Sequence, residues 1–304
     1  MNSDPKVSVL IVNWNTAEEL GLCLEALHRS GAAAGELEII VLDNASTDGS
    51  ADLVRRRFPA CHLLCNDENL GYARGNNQAL ERATGRYVLY LNSDVFVEPD
   101  TITRLVGILD SRPEVVGVAP RLVQPSGGTQ RSVYRLPEAG VLFLSSVLWP
   151  AALWRGCPAA RRWFADDFDC SVAQWAEQPA ASCLLLRREA VGEIAGFDEA
   201  FPLYFNDVDL CQRLLERGGR IWYEPDIQAT HRHGASTAKS TARRAEHHRS
   251  KIDYFAKHFA ATRWWGRPAL WWMRAIHALA FAGRPGAPSP WEAPRRAAMA
   301  RWQR

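Results

Sequence analysis

"KVSVLIVNWNTAEELGLCLEALHRS", Lys6 to Ser30, joins two periodicities that belong to different structures. Its first part, Lys6 to Trp14, is a short apolar run rich in β-branched residues and reads as a buried strand. From Thr16 onward, Leu20, Cys23, Leu24 and Leu27 recur at helical spacing. Thr16 stands where an N-cap belongs, and Glu19 three residues later predicts a capping box. A buried strand feeding directly into an amphipathic helix is half of a βαβ unit.

The unit repeats outward from there. "ELEIIVLDN" (36–44) is a second strand and "STDGSADLVRRRF" (46–58) a second helix opened by cap residues. "CHLLCN" (61–66) is a third strand, "GYARGNNQALERAT" (71–84) a third helix and "RYVLYLN" (86–92) a fourth strand. Strand and helix in strict alternation predict a parallel sheet with right-handed crossovers. In such sheets ligands bind beyond the carboxyl ends of the strands.

Those ends are unusually polar. Strand one ends in Asn13, Trp14 and Asn15; strand two in Asp43 and Asn44, followed by Ser46 and Asp48. Asn66, Asn69, Gly71 and Asn76 follow strand three, and strand four stops at Asn92 and Asp94 in "LYLNSDVFVEPD". Taken alone, each end has a local explanation, because Asx turns and N-caps favour these residues. Four in succession predict a polar ligand rich in donors and acceptors. Asp43 can accept from a base imide or a ribose hydroxyl, and Asn92 with Asp94 can hold a hard divalent cation through oxygen. No GxxxxGK[ST] occurs, which excludes a P-loop.

At this point the residues resemble glycosyltransferase family 2, and within it the bacterial rhamnosyltransferase-like branch. "VSVLIVNWN", "VLDNASTDGS", "NLGYARGNN" and "YLNSD" are similar to its nucleotide-sugar half. "GVAPRLVQPSGGTQRS" is similar to its connecting segment, "GFDEAFPLYFNDVDLCQRLLERGGRIWYEPD" to its catalytic block and "HRHGAST" to its closing histidine motif. The resemblance runs from about Val7 to Thr237. It implies an α/β fold of the GT-A type: a Rossmann-like, mixed but mainly parallel sheet flanked by helices. It also implies a nucleotide-sugar-binding half at 1–100 and an acceptor and catalytic half at 101–240; beyond the resemblance, 241–304 reads as a helical, basic, Trp-rich extension.

Carried over residue by residue, the resemblance gives Asp43 a contact with the nucleoside base, with Asn13 nearby. Asn15, Asn44, Asn69, Gly71, Asn76 and Asn92 fall among the donor-binding positions. Asp94 becomes the metal-binding aspartate, with Asn92 where the family often has an acid. His231 completes the metal site, with His233 as its rival. Asp207 becomes the general base, with Asn206 where the family usually has Glu. The implied cofactor is Mg²⁺ or Mn²⁺. The implied partners are a dTDP- or UDP-sugar donor and a glycan or lipid-linked acceptor. The residues alone leave other readings open. Asp207 and Asp209 sit in the first turn of a helix running from about Asn206 to Gly218, where carboxylates suit the helix dipole. His231 alone reads equally as a surface or core histidine.

Composition bounds the rest. Of 304 residues, 36 are Lys/Arg and 34 Asp/Glu, yet Arg243 to Arg304 holds 13 of the basic and only 3 of the acidic ones. Such a tail suits anionic lipid head groups or nucleic acid, or is simply a solvated surface; given the donor-binding reading, an anionic membrane surface is the expected partner and nucleic acid is not. Seven scattered cysteines without a CxxC predict reduced thiols and a cytoplasmic setting. "MNSDPKVSVLIV" lacks signal-peptide character, and no run of 18 apolar residues predicts a membrane span. "RWWGRPALWWMRAIHALAFAG" holds four of twelve tryptophans and predicts a helix from about Ala269, with Arg274 and His277 as a polar stripe. It fits a membrane interface, peripheral on the inner face, a partner groove, or packing on the catalytic domain. Two other function classes compete. A non-catalytic nucleotide-sugar-binding or scaffold protein would bind donor without turnover. A nucleotidyltransferase would want a Gly-rich basic loop where "NWNTAEEL" stands.

Overall fold

A computed structural model describes residues 6–30, 36–148, 155–232 and 241–281. The chain alternates β1 (Val7–Asn13), α1 (Ala17–Arg29), β2 (Leu37–Asn44), α2 (Ser50–Arg57), β3 (His62–Asn66), α3 (Tyr72–Leu80) and β4 (Tyr87–Leu91). It continues through β5 (Val95–Val97), α4 (Thr101–Ser111), β6 (Val115–Val123), β7 (Val133–Tyr134), α5 (Ala139–Val147) and α6 (Pro158–Trp163). Then follow β8 (Gln174–Ala176), β9 (Gln178–Pro179), β10 (Cys183–Arg187), α7 (Arg188–Glu193), α8 (Asn206–Glu216), β11 (Arg220–His231), α9 (Thr241–His258) and α10 (Gly266–Phe281).

The main sheet has nine strands in the order β3-β2-β1-β4-β10-β6-β11-β5, with β8 added on β11. Its first four are parallel, as the alternation predicts. β10 enters antiparallel between β4 and β6, which makes the sheet mixed. Both faces are covered, so the strands read as continuous apolar runs. Val7, Val9 and Ile11 meet α1, α2 and α4 on one side, while Leu10, Val88 and Tyr90 meet α3, α7 and α8 on the other.

Three local expectations are corrected. Thr16 caps nothing: its buried hydroxyl lies 2.7 Å from Asn13 Oδ1 and 2.9 Å from Ser93 Oγ. The Ala17 N–H donates instead to Asp48 Oδ2 at 2.8 Å. A carboxylate from the β2–α2 turn thus serves the positive end of α1, and the Thr hydroxyl is left to stitch two strand ends together. The last helix begins three residues earlier than expected, at Gly266, because Pro268 lies in its first turn, where a missing N–H costs nothing. Nor do Arg274 and His277 share a polar stripe. Arg274 is exposed, whereas the His277 ring stacks on His248 inside the helix packing.

A third core joins α5, α6 and residues 200–208 to α9 and α10, through Phe201, Phe205, Val208, Tyr254, Phe255 and Met273. Beneath it lies a buried charge cluster. Asp209 on α8 is fully buried and accepts from Arg213 Nε at 2.7 Å, from Lys257 Nζ and from His258 Nε2 at 2.9 Å. Burial opposes its ionisation, but the His258 hydrogen bond and the Arg213 and Lys257 charges outweigh it and hold the carboxyl well below its usual range. Asp209→Asn would leave Arg213 without its carboxylate and Lys257 with only Asp198, 2.7 Å away, an expected loss of roughly 2–4 kcal/mol in denaturant unfolding at neutral pH. The folded carboxylate stays ionised where the unfolded chain takes up a proton. Wild-type stability should therefore fall as pH drops below about 4, and the variant should show a flatter acid limb.

Candidate active site

The polar strand ends converge at one edge of the sheet. At β1 and β2, Asn13 Nδ2 donates to Asp43 Oδ1 at 3.0 Å and to Ser46 Oγ at 3.2 Å. Asp43 Oδ2 accepts the Ser46 N–H at 2.9 Å. Asn15, with φ of 53°, donates its own N–H to Ser46 Oγ and accepts from Thr47 N at 2.8 Å. Asn13 and Asp43 are buried. These residues form one braced platform, and the Asp43 carboxylate retains lone pairs for a ligand.

The asparagines after β2 and β3 hold the next loop. Asn44 Nδ2 donates to Gly71 O at 3.1 Å and its Oδ1 accepts from Asn66 at 2.8 Å. Asn69 Oδ1 accepts the Gly71 N–H at 2.9 Å. Gly71 has φ of +86°, and a Cβ there would meet Pro202 O at 2.8 Å. Only glycine fits this approach, which lets the Tyr72 N–H donate to Pro202 O at 2.6 Å. Asn76 donates to Tyr72 O, and its buried Oδ1 has no partner among the described residues.

At the end of β4, Asp94 and His231 stand together, with His231 Nε2 3.2 Å from Asp94 Oδ1 and both residues buried. The pairing of β5 with β11 fixes them, since His231 lies opposite Val95. Asn92 contributes a buried Oδ1 without a hydrogen-bond partner. His233 lies outside the described residues.

Asp207 occupies the first turn of α8. Phe205, just before it, is held at φ of 64°, a conformation costly for an aromatic residue and common where geometry is enforced. Asn206 is spent locally: Nδ2 donates to Leu203 O at 3.0 Å and Oδ1 accepts the Asp207 N–H at 2.7 Å. Where the family pattern has Glu, this chain therefore has a turn-forming amide. Burial pushes the Asp207 carboxyl up to about 6, against the opposing pull of the Val208 and Ala181 N–H groups.

The sequence reading missed the segment that joins these pieces, Gln178 to Ser182. Gln178 Nε2 donates to Asp207 Oδ2 at 3.3 Å. Tyr72 OH donates to Ala181 O at 3.1 Å. Burial, then the charge of Asp207 and, more weakly, that of Asp94, hold the Tyr72 phenol neutral. Ser182 O accepts the Asn92 N–H at 2.9 Å, and Ser182 Oγ is buried without a partner. Ser182 and Asn92 are joined through their backbones where the pairing of β10 with β4 ends, and each carries a buried side-chain oxygen without a hydrogen-bond partner. The signal was available as a run of small residues ending in a serine, "AAS", before the apolar run of β10.

The sequence profile described as Glycosyl transferase family 2 matches residues 8–191. The N-acetylglucosaminyl-diphospho-decaprenol L-rhamnosyltransferase of Mycobacterium tuberculosis is 28% identical over 290 residues, covering 89% of this chain and 90% of that protein. The O-antigen biosynthesis protein RfbC of Myxococcus xanthus is 26% identical over 278 residues, which are 86% of this chain and 19% of RfbC. Among solved structures, the mannosyltransferase PcManGT from Pyrobaculum calidifontis, in complex with GDP-Man and Mn²⁺, superposes with a TM-score of 0.57 at 18% identity over 99% of this chain and 86% of its own. TarS 1-349 of S. aureus superposes with a TM-score of 0.55 at 14% identity, over 93% of both chains. The mixed sheet and its polar carboxyl edge are those of the GT-A fold, and the chain belongs to glycosyltransferase family 2.

Proposed function

We propose that this protein is an inverting, metal-dependent glycosyltransferase. It moves L-rhamnose from a nucleotide-diphospho-sugar, dTDP-L-rhamnose by the family resemblance, to a cell-envelope glycan or lipid-linked acceptor at the inner face of the membrane. The observation that carries the reading is Asp207. Its carboxyl is raised by burial and is tied through residues 178–182 to the strand end that bears Asp94. The name of the M. tuberculosis relative supports the sugar and a decaprenol-linked acceptor. No described helix is long and apolar enough to cross a membrane.

Asp207 takes the proton from the acceptor hydroxyl, whose oxygen forms its bond to the anomeric carbon as the bond to the diphosphate breaks. The electron pair leaves with the diphosphate oxygen, and the proton stays on the carboxyl. One base on the face opposite the leaving group makes this a single displacement with inversion. Tyr72 and Gln178 hold the segment that positions the base. Ser182 offers its hydroxyl to the donor, and the platform at Asn13, Asn15 and Asp43 supports the nucleobase and ribose.

Among the described residues no group of three or more His, Cys, Asp or Glu can hold a metal ion. The protein's share of a cation site is therefore Asp94 and His231, with the unpartnered Asn92 oxygen beside them in sequence. That set fits a hard cation completed by phosphate oxygens, as in many Mg²⁺ sites. Mg²⁺ or Mn²⁺ bound there would neutralise charge on the leaving diphosphate. The Mn²⁺ and GDP-Man bound by PcManGT support this assignment.

A panel of dTDP-, UDP- and GDP-sugars tests the reading by thermal unfolding with Mn²⁺. dTDP-L-rhamnose should give the largest rise in Tm, and Ser182→Val should diminish it. A donor bound at about 100 times its Kd adds about 2.7 kcal/mol of stability. If no nucleotide-sugar shifts Tm, the family role is not exercised by this chain. A shift without transfer to any acceptor would favour the non-catalytic binding protein.

A further inference from the structure

The last helix carries a second apolar face beside its buried one. Counted at about 100° per residue, Ala269 and Met273 point one way and are buried against α5 and α9. Pro268, Trp271, Ala275 and Leu279 lie roughly 80° or more round from both, with Trp272 on the flank between. Trp271 is 62% exposed, Trp272 53% and Leu279 75%, and Trp264, just before the helix, is 94% exposed. Large apolar groups are seldom left in water in such a cluster.

Charge selects what covers them. Arg263, Arg267 and Arg274 are exposed around this face, and Arg267 and Arg274, two turns apart, share one flank of the helix. No Asp or Glu occurs from Tyr254 to Phe281. A symmetric pairing of two such helices would bring arginines against arginines. Residues 282–304, with five arginines and one glutamate, add like charge rather than a counter-charge. Tryptophan at the water–hydrocarbon boundary and arginine against phosphate is the composition of a helix lying in an anionic bilayer surface.

We infer that this face of α10 is the surface on which the protein seats on an anionic membrane. Trp264, Trp271, Trp272 and Leu279 enter the head-group boundary, and Arg263, Arg267 and Arg274 meet lipid phosphates. The inference deepens the lipid-linked acceptor reading and rests on it only for its purpose. On the adjoining helix, the α9 residues Lys257 and His258 grip Asp209 on α8, the helix that carries Asp207. The seat is thus built onto the same packed unit as the base.

The full chain should co-sediment with phosphatidylcholine–phosphatidylglycerol vesicles and far less with phosphatidylcholine alone, and binding should fade with salt. Tryptophan emission should shift to the blue on binding. Arg267→Glu with Arg274→Glu changes four charge units, each worth roughly fivefold, so anionic binding should fall by a hundredfold or more. Trp271→Ser with Trp272→Ser should weaken the binding that survives high salt by about tenfold or more. Both pairs are exposed, so the donor-dependent rise in Tm should be unchanged. The proposal is overturned if the intact protein ignores anionic vesicles at low salt, or if either double variant binds like the parent. It is equally overturned if the Trp pair converts a dimer to a monomer, which assigns the face to a second copy. A parent that binds vesicles but no nucleotide-sugar would sink the glycosyl-transfer reading and leave the membrane surface standing.

Discussion

Asp207→Asn should bind donor normally and transfer sugar about 10²–10⁴-fold more slowly, the range for a positioned general base. The amide keeps the shape of the carboxylate and can still meet Gln178, but it cannot take the acceptor proton. In the parent, transfer should rise with pH through about 6, where the Asp207 carboxyl ionises, and then level off. Stability should move the other way. The folded carboxyl has the higher pKa, so the unfolded chain ionises first, and stability declines as pH rises from about 4 to 6. At neutral pH the variant should therefore be the more stable protein, by about 1–3 kcal/mol. Near-normal turnover in Asp207→Asn would remove the residue from the base role. A variant that loses both turnover and stability would mean that the carboxylate mainly holds the fold.

Removing the cation should be as damaging. Excess chelator should abolish transfer, and restored Mn²⁺ or Mg²⁺ should recover it. Asp94→Ala and His231→Ala should each weaken Mn²⁺-dependent nucleotide binding by roughly tenfold or more, read by titration calorimetry without turnover. The pair is buried side by side, so each variant is also checked by its Tm without ligand. His233→Ala should have a smaller effect. Full transfer in chelator would show that the Asp94–His231 pair serves the fold and not a metal.

What the sequence shows of this molecule is what is local. β1 to β4 and the three helices between them follow from periodicity, because two-sided burial makes each strand a continuous apolar run. The polar strand ends follow too, since an Asn or Asp that closes such a run stands out. Non-local pairing leaves no such mark. Nothing in "CLLLR" indicates that β10 runs antiparallel between β4 and β6, and so nothing placed Ser182 opposite Asn92. Thr16 carries a capping-box signature that a tertiary partner, Asp48, overrides. The tail shows the same limit. Its arginines and tryptophans are visible in the chain, but which face of α10 the core consumes is decided by α5 and α9.

The buried Asp209 cluster has a consequence for how the protein is made. Chains emerge from the ribosome N-terminus first, and folding begins before synthesis ends. The helix bearing Asp207 leaves the exit tunnel while Lys257, which neutralises Asp209, is still 48 residues behind. Until it arrives, Asp209 has only Arg213 of its three partners and Phe201, Phe205 and Val208 lack the aromatic face of α9. Strands β1 to β4 can assemble early, but the helix that carries Asp207 settles only after residue 258 is in place. A nascent or broken chain ending before that point would present the polar strand ends without a seated Asp207. On the proposed reading, completion of the polypeptide then becomes a licensing step for chemistry.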